Sequence, residues 1–414
     1  MNATLPFAQA IPLSYETPST ASTPVASQRL VSLDAFRGLV MILMASAGLS
    51  IPKVAESYPN SPIWQRLAFH TDHVAWAGCG LWDLIQPCFM FMVGAAIPFS
   101  LAKRQAQGQS PVRLSLHALW RAVALTALGV YLASSWSPRT NWIFSTVLAQ
   151  IGLGYFFLFL LAWARPRWQL AAAMLILFSY WLAFALYPAP AAGFDFATVN
   201  AKGWTPQFHG FAAHWEKNTN LATAFDRWFL NLFPRKETFT GESGGYATLN
   251  FIPSLATMIF GLLAGGLLRS TASADRKIKL LIGAGVIGIA AGLLLDGTGI
   301  CPSVKRIWTP SWTLFSGGCA CIGLAFFYAI IDVARFRAWS LPLVVVGMNS
   351  IAMYVMSQLM KPYIRENFKR HLGDGIFSMP GGETFAPLVQ SATILAVLWL
   401  VAFWMYRRPL FLKI

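Results

Sequence analysis

The sequence predicts an all-α polytopic membrane protein, a bundle of about ten transmembrane helices with both termini in the cytoplasm. Composition is the first ground: 56% of residues are hydrophobic and only 11% are charged, against about 25% charged in soluble domains. Apolar runs of about 20 residues, the length that crosses a bilayer, recur along the whole chain. Lys and Arg gather in short loops on one side, as cytoplasmic loops do. No β-barrel alternation is present, so backbone polar groups must be satisfied inside helices.

Taken in order, residues 1–28 are rich in Ser, Thr, Pro and Ala, with no Lys or Arg and no sustained apolar core. They read as a disordered cytoplasmic tail rather than a secretory signal. Residues 29–414 form the membrane domain. Its spans fall near 36–51, 83–102, 116–136, 144–163, 169–187, 249–268, 279–295, 312–333, 341–360 and 385–406. Three long segments, 51–82, 188–248 and 361–384, are expected as outer loops.

Net charge is +15. In a soluble protein that would suggest nucleic acid. Here the excess lies in short loops holding Lys103, Arg104 and Arg113, then Arg165 and Arg167, then Arg269, Arg276, Lys277 and Lys279. Arg335, Arg337, Arg407, Arg408 and Lys413 continue the series. Such loops face anionic membrane lipid, and no nucleic-acid module is present.

The stretch 70–104 is where chemistry is expected. His70, Asp72 and His73 precede an apolar run that opens on Asp83 and Gln86 and ends at Lys103 and Arg104. A histidine ten residues before an acid at a helix start makes a candidate reaction centre. An ordinary interfacial histidine and a carboxylate favoured by the helix dipole would look the same. The orientation puts His73 outside, just above the membrane. Trp204, His209, His214, Trp215 and Trp228 in the segment 188–248 suit an outer substrate lid, or the headgroup region that attracts aromatics.

Ionisable residues inside spans are costly and usually paired or functional. Asp34 and Arg37, three residues apart, can form an ion pair on one helix face. Arg37, Arg104 and Arg121 all fall near the cytoplasmic side of the first three helices. Together they could hold a phosphorylated ligand, or they could snorkel to lipid phosphate. Gln150, Asn349, Ser350 and Gln358 are further polar groups, and amides often tie helices together. Glycines at 261–266, 283–292 and 317–318 allow close helix approach, with no strand–loop–helix context for a nucleotide motif. Five cysteines show no zinc spacing and no metal site is expected; Cys79 and Cys301, both in outer loops, could pair or simply pack.

Four ordered blocks resemble the heparan-α-glucosaminide N-acetyltransferase family and its bacterial relatives. The first is Arg29-Leu30-Val31-Ser32-Leu33-Asp34-Ala35-Phe36-Arg37-Gly38. The second joins His73-Val74-Ala75-Trp76-Ala77-Gly78 to Asp83-Leu84-Ile85-Gln86-Pro87 and Phe89-Met90-Phe91-Met92-Val93-Gly94. The third is Lys305-Arg306-Ile307-Trp308-Thr309-Pro310-Ser311-Trp312 with Gly317-Gly318, and the fourth Gly347-Met348-Asn349-Ser350-Ile351 with Tyr354.

The resemblance implies a multi-pass acetyltransferase of the bacterial inner membrane. It would carry acetyl from cytosolic acetyl-CoA to an amino sugar or glycan on the periplasmic side, with no metal. The family's active histidine falls on His73 and its acidic neighbour on Asp83. Arg37, Arg104, Arg121 and Asn349 are then expected at the donor. Asp72, Trp76, Trp82, Gln86, Lys305 and Trp308 are expected at the acceptor. A homodimer is compatible with this layout. The sequence departs from the family at Ala45-Ser46-Ala47-Gly48, at Thr248-Leu249-Asn250-Phe251-Ile252-Pro253 and in an insertion at about 51–71, where the acceptor should bind. The family's lysosomal substrate therefore does not carry over.

Acyl transfer needs a base for the acceptor and stabilisation of an oxyanion. Imidazole suits the first at neutral pH, with Asp83 orienting it. Direct transfer and a route through acetyl-histidine both fit. Two other functions share these features: O-acylation of envelope polysaccharide, and non-enzymatic transport of small polar or lipid-linked substrates.

Overall fold

The computed structural model describes residues 30–412; the tail expected at 1–28 lies outside them. Among the described residues fourteen α-helices follow one another. They are α1 (Val31–Ser46), α2 (Ile51–Glu56), α3 (Pro62–Thr71), α4 (Ile85–Ala106), α5 (Pro111–Ser134), α6 (Val147–Leu161) and α7 (Pro166–Leu186). Then come α8 (Leu221–Phe229), α9 (Phe251–Arg269), α10 (Ala274–Gly297), α11 (Pro310–Phe327), α12 (Leu341–Met348), α13 (Ser350–Leu372) and α14 (Gly382–Arg407). The only strand-like pairing among the described residues is an isolated bridge, Ala77 to Val304.

Local chemistry explains the helix starts. Pro111, Pro166 and Pro310 occupy the first helical turn, where a missing N–H costs nothing. The side chains of Ser110, Thr146, Ser273 and Thr309 accept backbone N–H groups at their N-caps.

Among the described residues, eight helical segments are long and apolar enough to cross a membrane, or nine with a bent pair. This is a multi-pass membrane protein. Two of the ten expected spans differ from a simple crossing. The segment expected at 144–163 holds α6, only 15 residues and so about 22 Å long. The segment expected at 341–360 is broken between α12 and α13 by 71°. Asn349, at φ −123° and ψ 38°, is the non-helical residue in that break. The third expected outer loop is also shorter: α13 runs on from 361 to Leu372, across Pro362, and ends at Gly373. The segment 51–82 contains the short helices α2 and α3.

Helix α9 is the centre of the bundle: 67% of its apolar window is buried, against 17% for α10 and α14, whose faces are left to lipid. Its glycines set the approach to α4. A Cβ on Gly261 would collide with the Phe91 carbonyl, and one on Gly94 with the Met258 carbonyl, so the two backbones touch. Gly38 and Gly347 join α1 to α12 in the same way. The Asp34–Arg37 pair expected from spacing forms at 3.6 Å.

The chain returns to the end of the bundle where it began. Asn349 donates to the Leu410 carbonyl at 2.9 Å and accepts the Leu412 N–H at 3.2 Å. Leu412 and Arg37 line the same cavity.

Candidate active site

Asp83 lies in a 3-10 turn, Leu81–Leu84, that leads into α4, and is 1% exposed. Its Oδ2 accepts the backbone N–H groups of Gly80 at 3.0 Å and Val74 at 3.3 Å. Its Oδ1 faces His73 Nδ1 at 2.8 Å and Lys305 Nζ at 3.2 Å. Capping and pairing are thus both present, one on each oxygen. Lys305 Nζ also lies 2.9 Å from His73 Nδ1, closing a triangle of three titratable groups.

Two loops hold that triangle together. Ala77 bridges to Val304, and the Gly78 N–H donates to the Ser303 carbonyl at 3.1 Å. The Thr309 hydroxyl accepts the Val304 N–H at 3.0 Å, tightening the 3-10 turn Lys305–Ile307 that carries the lysine. Arg306 donates to the Val74 carbonyl at 3.1 and 3.3 Å and to the Gly244 carbonyl at 2.7 Å, and its guanidinium covers the Tyr246 ring. One arginine therefore joins the histidine loop, the lysine turn and the long 188–248 segment.

Lys305 is 3% exposed. Burial pulls its ammonium down to about 8, while the Asp83 carboxylate works in the opposite direction. Burial, and next the nearby Asp83, push the Cys79 thiol up to about 12, so it is a neutral thiol. Cys79 and Cys301 are both free, as are the other three cysteines.

Two cavities lie along the bundle, and two members of this triangle line the first. A 460 Å³ cavity is lined by His73, Lys305, Trp82, Gln86, Tyr246 and, from α13, Lys361. A 310 Å³ cavity at the opposite end is lined by Arg37, Arg104 and Arg121, with Tyr155. They adjoin: Gln86 faces one and Phe89 the other, about 4.5 Å further along α4. Val147 and Leu148 on α6, and Tyr354 and Ile351 on α13, divide in the same way.

The three arginines expected to act together do share one cavity. Arg104 Nη2 meets His117 Nε2 at 2.8 Å, and Arg121 lies over the Tyr155 ring with its buried Nε unpartnered. Trp82, Gln86 and Lys305 line the His73 cavity, as does Gln358, which spacing alone suggested as helix glue. Besides Asp83, which lies beneath His73, four expected residues line neither cavity. Trp76 is fully buried and donates to the Trp215 carbonyl, while Trp308 donates to Thr257 in the core; large aromatics next to a site can serve as its walls. Asp72 accepts the His73 backbone N–H at 2.7 Å, and Asn349 is committed to the C-terminal segment.

Sequence reasoning did not single out Arg306 as a tie, Tyr246, Lys361 or His117. Arg306 adjoins Lys305 in a quoted block, which is a usable signal; the other three carry none. A further feature is the run Ala47, Gly48, Leu49 and Ser50, all at φ between 49° and 64°. This left-handed turn ends α1 beside the His73 cavity, and three of its residues are not glycine. Such strain persists only when surrounding contacts hold it, here including a 2.7 Å bond from Ser50 to Ser391.

A multi-pass helical protein with a His–Asp–Lys triangle at the edge of a cavity, Asp83 and Lys305 buried and His73 exposed, is the class that fold and site define. No family model matches the sequence. The chain is 23% identical over 438 residues to heparan-alpha-glucosaminide N-acetyltransferase from Homo sapiens, a match covering 96% of this chain and 62% of that protein. The protein of the same name from Mus musculus is 23% identical over 428 residues, covering 94% and 61%. The chain is a distant relative of these transferases and spans about three-fifths of their length.

Proposed function

We propose that this protein is a transmembrane acetyltransferase that passes an acetyl group from cytosolic acetyl-CoA to a sugar or glycan on the far side. The observation that carries the reading is the pair of adjoining cavities, one lined by three arginines and the other by His73 and Lys305. The relatives' name supports the chemistry. In this reading the arginine end faces the cytoplasm, as the short basic loops expect, and the His73 end faces the periplasm.

The residues fit a polyphosphorylated donor. Guanidinium groups are the preferred partners of phosphate, and the unpartnered buried Nε of Arg121 is a donor without an acceptor. The donor supplies an activated thioester carbonyl.

With Nδ1 donating to Asp83, Nε2 of His73 is the ring atom left to accept a proton. It takes that proton from the acceptor's hydroxyl or amine as the new bond to the acetyl carbon forms. The carbon–sulfur bond breaks, and its electron pair leaves with the sulfur. Asp83 orients the ring and stabilises the imidazolium, and Lys305 keeps Asp83 ionised in its buried position.

The test is acetyl-CoA consumption by the full chain in proteoliposomes. His73→Ala should lower acetyl transfer by about 10²–10⁴-fold, while acetyl-CoA still raises the melting temperature. Wild-type turnover in that variant ends the proposal. Solute flux without any response to CoA would instead mark a transporter.

A further inference from the structure

The His73 cavity is chemically one-sided. Every ionisable side chain that lines it, His73, Lys305, Lys361 and the phenols Tyr246 and Tyr354, is a base or a neutral phenol; no carboxylate is among them. Three acids lie close by, outside the lining, and each is held by hydrogen bonds. Asp83 is 1% exposed beneath the imidazole with both oxygens occupied. Glu242 accepts the Tyr246 backbone N–H at 3.0 Å, and Asp72 accepts that of His73 at 2.7 Å. Lys305 is balanced by Asp83 at 3.2 Å. Lys361, from α13, has no hydrogen bond or ion pair among the described residues, and burial lines its stem against the cavity wall.

An unbalanced lysine in a concave, partly buried site attracts an anion and repels a cation, and more strongly than at an open surface. Trp82 and Tyr246 add aromatic faces, and Gln86 and Gln358 add amides of the kind that bind sugar hydroxyls. We infer that the acceptor is an acidic sugar, one bearing a carboxylate or a phosphate, bound through Lys361, and that a free protonated amino sugar is disfavoured. This rests on the acetyltransferase reading above and names the acceptor class for it. A protonated amine would meet the Lys361 ammonium with no carboxylate lining the cavity beside it, and would have to lose its proton before it could attack.

The test uses four matched glycosides with the full chain in nanodiscs: methyl glucoside, methyl glucuronide, methyl glucoside 6-phosphate and methyl glucosaminide. Binding is read by intrinsic tryptophan fluorescence, and acetyl transfer is measured in parallel at saturating acetyl-CoA. One or both acidic probes should bind about tenfold more tightly than the neutral one, and the glucosaminide most weakly. Which acidic probe wins separates carboxylate from phosphate. Lys361→Gln should remove the preference, and Lys361→Glu should weaken the acidic probes about tenfold while tightening the glucosaminide. The acetyl-CoA thermal shift should stay unchanged in both variants, reporting an intact fold.

Tightest binding by the glucosaminide, no binding by either acidic probe, or a preference indifferent to both Lys361 variants would overturn the inference. The charge ordering with no acetyl transfer to any probe would overturn the acetyltransferase reading and leave the acidic-ligand site standing.

Discussion

Lys305 Nζ lies closer to His73 Nδ1, at 2.9 Å, than to Asp83 Oδ1, at 3.2 Å. Nδ1 has a single hydrogen or a single lone pair, so it cannot donate to Asp83 and accept from Lys305 at once. If it donates to the carboxylate, Nε2 is a base. If the ammonium donates to it, Nε2 carries the hydrogen and cannot accept one. The lysine therefore competes with the carboxylate for the tautomer of the imidazole.

That competition should be visible in the pH profile. Lys305 titrates at about 8 in the folded protein because of burial. As pH rises past 8 the ammonium is lost and Nδ1–H can donate to Asp83 unopposed, so kcat/KM should show a rising limb there. Lys305→Met alone strands a buried carboxylate, at a cost of roughly 3–5 kcal/mol. The double variant Lys305→Met, Asp83→Asn removes both charges and should fold, with no limb near 8. A limb that persists in it would refute the assignment. Stability follows the same titration: the unfolded chain binds more protons between pH 8 and about 10.5, so wild-type stability should rise with pH across that window.

Asp226, outside the spans on α8, is 2% exposed and its Oδ1 has no partner. Burial pushes its carboxyl up to about 6, against hydrogen bonds from Thr248 that favour the charged form. Folded protein then holds a proton that the unfolded chain releases between about pH 4 and 6, so stability should fall as pH rises through that range. Asp226→Asn should flatten the fall and stabilise the protein at pH 7 by on the order of 2 kcal/mol. The check is the melting temperature of both forms from pH 4 to 8.

Two glycines on α9 should respond with opposite signs. Gly261→Ala drives a methyl into the Phe91 carbonyl, an overpacking that typically costs about 1–3 kcal/mol. Gly266→Ala meets nothing within 4 Å and gains about 1 kcal/mol of helix propensity. Thermal unfolding in one detergent compares them; equal effects would mean that α4 and α9 do not touch along this seam.

Arg121→Gln should weaken acetyl-CoA binding about 10- to 150-fold, the loss of one charge-assisted contact of roughly 1.5–3 kcal/mol. Isothermal titration against CoA measures it. Wild-type affinity there, and again in Arg104→Gln, would remove the arginine cavity as the donor site.

The relation of residues to site was partly legible in the linear chain. The His73–Asp83 contact follows from a polar loop ten residues ahead of a helix start, and the Asp34–Arg37 pair from helical spacing. Trp76 and Trp308 could not be sorted that way, because an aromatic beside a site and one inside its wall have the same sequence neighbours. Lys361 was hidden because α13 continues where a loop was expected.

What the sequence determined by itself is the helical membrane class, since long apolar runs in lipid have few other ways to satisfy their backbone. It also placed the three arginines at one end and His73 at the other, since each span reverses the chain direction. Only the tertiary structure decided that Lys305, 232 residues from His73, enters the same triangle. It alone decided that α13 supplies a cation to that cavity. Such contacts are made by loop closure and helix packing between distant segments, and no local period or propensity encodes them.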